Sequence, residues 1–92
     1  MKNNLYSMKD TKMGKFSMPF VAPNDEIAKR TLASTIKQGG TTISEFPEDF
    51  QLFRLGNYDE DTGDLTTDNE FIANATEFAV TSKNKDIKIE EE

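Results

Sequence analysis

The stretch Phe50-Gln51-Leu52-Phe53-Arg54-Leu55-Gly56-Asn57-Tyr58 decides the fold. In an extended chain successive side chains point to opposite faces. Phe50 and Leu52 then face one side of a sheet, and Phe53 and Leu55 the other. A strand with large apolar residues on both faces needs cover on both. The next six residues, Asp59-Glu60-Asp61-Thr62-Gly63-Asp64, have the composition of a hairpin loop, and Leu65-Thr66-Thr67 reads as a short return strand. Phe71-Ile72-Ala73 and Thr76 to Thr81 are apolar enough to dock, the latter as a further short strand.

Upstream, residues 24–38 carry a helix. Asn24 is a good N-cap, Asp25 and Glu26 complement the positive helix start, and Gly39-Gly40 supplies the stop. Ile27, Ala28, Thr31, Leu32, Thr35 and Ile36 recur at helical spacing on one stripe, with Glu26, Lys29, Arg30, Ser34 and Lys37 away from it. Residues 40–49, with Pro47, read as a loop. Before the helix, Leu5-Tyr6-Ser7-Met8 and Lys15-Phe16-Ser17-Met18-Pro19-Phe20 read as a β-hairpin about a polar Gly14 turn, with Phe16, Met18 and Phe20 on one side. Pro19 has no N–H to give a ladder, which puts that strand at an edge or ends it there. The expected fold is α+β: a β-hairpin, one amphipathic helix and a second β-hairpin forming a small antiparallel sheet. One domain is expected over residues 1–81, with a charged tail over 82–92. The helix covers one face of the sheet. The C-terminal segment or a second copy of the chain is the expected cover of the other, and the second copy would make a homodimer.

The 92 residues include no Cys and no His. Disulfides and thiolate metal sites are thereby excluded, as are the commonest general base near neutral pH and the commonest zinc ligand. No Ser has a base to activate it, and Gly39-Gly40 lacks the Lys-Ser/Thr of a phosphate loop. A binding protein without cofactor or metal is expected, not an enzyme. The absence of Cys fits a reducing compartment. The first residues lack the apolar run of a signal peptide, and no apolar run approaches the roughly 18 residues that span a membrane.

Net charge is −6, divided as +4 over the first forty residues and −10 over the rest. Two sets of candidate binding residues follow. Lys9, Lys12, Lys15, Lys29 and Arg30, with Tyr6 and Phe16 nearby in sequence, suit single-stranded nucleic acid, where cations hold phosphates and aromatic rings stack on bases; the plainer reading is a solvated rim. Glu45, Glu48, Asp49, Asp59 and Asp61 suit a basic protein partner, or mimic a nucleic acid on one; the plainer reading is solvated loop carboxylates. The acidic loop fails as an EF-hand, because Gly63 falls one position early and Thr66 takes an apolar position. Arg54, inside the apolar strand, is expected to pair with Glu48 or Asp49 or to reach a partner.

Three segments, taken together, carry a resemblance: Met18-Pro19-Phe20-Val21-Ala22-Pro23-Asn24-Asp25 entering a helix with Ala28 and Arg30; Phe46-Pro47-Glu48-Asp49-Phe50-Gln51-Leu52-Phe53-Arg54-Leu55-Gly56-Asn57-Tyr58-Asp59; and the Asp61-Thr62-Gly63 turn. In order and spacing, from about residue 4 to residue 67, the chain resembles the small non-structural protein of gokushovirus-type microviruses, which are single-stranded DNA phages. The resemblance implies a phage protein made in the host bacterial cytoplasm and absent from the finished capsid. It implies a role in making or packaging single-stranded progeny DNA, with phage replication or capsid proteins as partners and no catalytic motif. It assigns no DNA-binding residue. Three functions follow as expectations: an accessory factor in single-stranded DNA synthesis or packaging, an acidic host-directed modulator, and a homo-oligomeric assembly scaffold.

Overall fold

The computed structural model describes residues 2–78. These form one open five-stranded antiparallel sheet with a helix against one face. Strand β1 (Lys2–Asp10) and strand β4 (Phe50–Asp59) pair along their whole lengths at its centre. Beyond β4 lies β5 (Leu65–Asn74). Beyond β1 lies a broken edge made of β2 (Lys15–Phe16), which pairs with Lys9 and Asp10 at the end of β1, and β3 (Phe20–Ala22), which pairs with Asn4 to Tyr6.

The break falls at Ser17-Met18-Pro19. Pro19 offers no donor, and the Ser17 side chain substitutes for a ladder partner: its Oγ accepts from the Met8 N–H at 3.2 Å while the Ser7 hydroxyl donates to the Ser17 carbonyl at 2.7 Å. The interruption turns the chain over. Phe16, Met18 and Phe20 therefore do not share a side, as simple alternation had implied. Phe20 stacks on Tyr6 in the core at 5.8 Å, Met18 is exposed, and Phe16 lies on the opposite face.

Helix α1 (Asp25–Gln38) starts where expected, with Asn24 Oδ1 accepting from the Ile27 N–H at 2.9 Å. It buries Ala28, Leu32 and Ile36 against Tyr6, Met8, Phe50 and Leu52. Thr31 and Thr35 lie at the margin of that stripe, their hydroxyls donating to the carbonyls four residues back. The expected loop at 40–49 instead holds helix α2 (Thr42–Glu45) and a 3-10 turn, Pro47–Asp49. Thr41 and Ser44 form a reciprocal capping box that satisfies the free N–H groups of so short a helix, and Pro47 starts the turn that follows.

The return strand is ten residues rather than three and takes in Phe71-Ile72-Ala73. Gly56 sits where β5 crosses closest: a Cβ there would lie 2.0 Å from the Thr66 carbonyl oxygen. The hairpin tip closes with the Gly63 N–H donating to the Asp59 carbonyl at 2.7 Å, Gly63 being left-handed. Residues 76–78 are helical, not extended: the Glu77 carboxylate accepts the Asn74 N–H at 3.2 Å, which favours a helix start. The rest of the strand expected to residue 81, and the tail expected over 82–92, lie outside the described residues.

Candidate nucleic-acid interface

Alternation along β4 sends Leu52 into the core and Phe53 to the face away from α1. On that face Phe53 is the middle of an aromatic row. Its ring meets Phe16 of β2 edge-to-face at 5.4 Å and Phe71 of β5 edge-to-face at 5.8 Å. Phe71 arrives by register, since it pairs directly with Phe53. Phe16 arrives by a different route. It lies two strands from Phe53, about 10 Å by strand spacing, and its ring leans over the intervening β1. The residue of β1 beside Phe53 is Ser7, completely buried and small enough to permit this. Phe16 is 43% exposed and Phe71 46% exposed, so the row opens to solvent at both ends.

Lys9 of β1 completes the face. Its Nζ lies 5.8 Å from the Phe16 ring centre and 5.9 Å from that of Phe53, within range of a cation–π contact with each. Among the described residues no carboxylate forms a salt bridge with it.

The opposite face has its own polar centre. Arg54 points to the helix side, where its Nη1 reaches Asp25 at 3.1 Å and its Nε reaches Asp68 at 2.9 Å, with Glu70 on its other nitrogen. It does not pair with Glu48 or Asp49, which precede β4 in the 3-10 turn. Antiparallel pairing with β5 sets Glu70 directly across from Arg54, and the helix start supplies Asp25. Tyr6 joins the network: its hydroxyl donates to Asp25 Oδ1 at 2.6 Å and accepts from Asn4 Nδ2 at 2.9 Å. Burial, with Asp25 at the hydroxyl, pushes Tyr6 up to about 12. The Tyr6 hydroxyl, and after it Arg54, hold the Asp25 carboxyl below the usual carboxylate range. The carboxylates, Asp68 first, make Arg54 still harder to deprotonate. This network ties α1 to the sheet and gathers three acids around one cation.

The structure separates the sequence-derived candidates. Lys9 joins the aromatic row. Lys12 lies in the turn between β1 and β2, which is held to Asp49 by the Thr11 N–H at 2.8 Å, and Lys15 opens β2. Lys29 and Arg30 ride on α1, across the sheet from Lys9, and Lys29 reaches Glu26 at 3.8 Å. Among the acids, Glu45, Glu48 and Asp49 precede β4, while Asp59 ends it and Asp61 follows in the hairpin tip. A ten-residue strand separates the two groups by roughly 30 Å. Sequence reasoning had placed Phe53 on the face opposite Phe50 and Leu52, without saying which face the helix covers, and had noted Phe16 beside the lysines. It missed Phe71 and Ser7, whose roles depend on register.

The architecture defines a class: a small α+β domain with one sheet face packed by a helix and the other presenting an aromatic row with a lysine. Within that class, the chain belongs to the phage ORF5 protein family, which it matches over residues 3–78. Searches of curated proteins and of solved structures return no match. Among the described residues no helix is long and apolar enough to cross a membrane, and no group of three acids is placed to hold a metal.

Proposed function

We propose that this phage protein is a non-enzymatic accessory factor in the synthesis or packaging of single-stranded DNA, working in the host bacterial cytoplasm through protein contacts and a direct, weak hold on the strand. The observation that carries the reading is the row Phe16–Phe53–Phe71 with Lys9 above it. Single-stranded nucleic acids are held by this pairing of ring faces for bases with cations for phosphates. The family membership and the resemblance to microvirus non-structural proteins support the same setting. Net charge of −6 argues for modest affinity, because phosphate neutralisation supplies most non-specific binding.

Fluorescence anisotropy with labelled single-stranded and duplex DNA, at about 50 and 200 mM salt, tests the proposal. Preferential single-strand binding is expected, weakening about 2.6-fold over that range for each phosphate contact. No single-strand binding at the lower salt overturns it.

A further inference from the structure

We infer that the sheet face away from α1, uncovered among the described residues, is a base-stacking platform, on which unpaired bases of one strand lie across the sheet from the β2 edge to the β5 edge, with Phe16 and Phe71 as the end contacts, Lys9 on the phosphates and no reading of base sequence. The inference rests on the single-strand proposal and names how that site would work.

Four observations carry it. The row crosses the strands instead of following one, so a ligand lying on it must be long and narrow and must run across the sheet. Lys9 sits amid the aromatic rings without a carboxylate partner among the described residues. A cation in an apolar row suits an anionic, aromatic ligand better than an aliphatic protein surface. The polar groups of this face are bonded to protein neighbours: Ser7 donates to the Ser17 carbonyl at 2.7 Å, and Gln51 donates to Asn74 at 3.3 Å. Stacking without hydrogen-bond readout tolerates any base. The acids beside the row on β5, Asp68 and Glu70, point to the helix side and are paired with Arg54, which weakens their repulsion of phosphates here.

The chain has no Trp, so Phe71→Trp places a single indole reporter in the row. Titration of this variant with an oligothymidylate of about fifteen nucleotides, within the usual site sizes for single-strand binders, is expected to quench the indole. Phe16→Leu and Phe71→Leu are each expected to weaken single-strand affinity about 5- to 150-fold, the range set by one base stack, at an unchanged salt slope. Phe71→Tyr is expected to retain affinity. Lys9→Gln is expected to lower the logarithmic salt slope by about 0.7, the loss of one single-strand phosphate contact. Circular dichroism and the thermal midpoint check that each variant keeps the fold. Wild-type binding that persists in both Leu variants overturns the platform and leaves the proposed function standing. No single-strand binding by the wild type removes both. Indole emission that changes with protein concentration alone, together with a dimer by sizing, makes the row an interface between copies and overturns the platform.

Discussion

Removing one oxygen, by Tyr6→Phe, isolates the network that joins helix to sheet. The ring is completely buried and keeps its stacking on Phe20, so the change leaves packing intact. What is lost is a 2.6 Å bond from the hydroxyl to the Asp25 carboxylate, and the bond from Asn4. Hydrogen bonds to a charged group contribute about 1.5–3 kcal/mol. The Asp25 side chain is 36% exposed and keeps Arg54, so water and the guanidinium recover part of the loss, leaving a net cost of about 1–1.5 kcal/mol. That lowers the thermal midpoint by roughly 4–12 °C for a domain of this size. The pH dependence is the sharper test. Tyr6 is raised to about 12 in the folded state, above its ordinary value near 10. Its stabilisation is therefore complete below about pH 10 and is lost as pH climbs towards 12. Asp25 is lowered in the folded state, so its share is present above the ordinary Asp value near 4 and is lost as pH falls through the folded value. The difference between wild type and Tyr6→Phe in urea denaturation should thus form a plateau near neutral pH and shrink at both ends. A difference that is flat from pH 3 to 11 refutes the assignment of the hydroxyl to a charged partner.

Two further substitutions test the sheet. Gly56→Ala places a Cβ 2.0 Å from the Thr66 carbonyl oxygen and 3.0 Å from the Thr67 Cα; backbone cannot swing aside, so β4 and β5 must part, at roughly 2–3 kcal/mol in chemical denaturation. Arg54→Met leaves Asp25, Asp68 and Glu70 without their shared cation; because these acids reach solvent, a loss of about 2 kcal/mol is expected at low salt, smaller at high salt, where repulsion among them is screened. Single-strand binding should survive Arg54→Met, which acts on the other face, and anisotropy checks it.

The legible parts of the fold were those encoded locally. The stripe of Ala28, Leu32 and Ile36 between Asn24 and Gly39 marks α1 without help from tertiary contacts. The two-sided pattern of Phe50 to Leu55 marks β4 and sets Phe53 opposite Phe50 and Leu52; which face the helix takes is settled by packing. The edges were less legible. Asp68-Asn69-Glu70 has loop composition, and Asn69 is left-handed, yet β5 continues through it because Arg54 across the ladder holds both acids. Ser17-Met18-Pro19 looks like part of an alternating strand, but the missing proline donor and the Ser17 side chain break the edge in two. The interface was legible only in part. Lys9, Lys29 and Arg30 all fall in the net-positive first forty residues, but β1 carries Lys9 and α1 carries Lys29 and Arg30 to opposite sides of the sheet. Phe16, Phe53 and Phe71 are spread along the chain and meet only through pairing.

The charge distribution reconciles an acidic chain with an anionic ligand. A net charge of −6 opposes approach to phosphate only where the acids face it or lie within a Debye length, about 8–10 Å near physiological salt. Asp25, Asp68 and Glu70 are turned to the helix side and share a guanidinium, and the hairpin acids from Asp59 to Asp64 lie at the far end of β4 from Lys9, which stands across from Gln51. The face away from α1 therefore carries one cation and three rings, with Asp25, Asp68 and Glu70 turned to the other face, the hairpin acids at the far end of β4, and Glu48 and Asp49 before β4 at the Lys9 end. That arrangement favours a single-stranded ligand laid across the Phe row near Lys9 over one laid along β4 towards the hairpin tip. It also makes a strand long enough to reach that tip bind no more tightly, per nucleotide, than one that covers the Phe row alone.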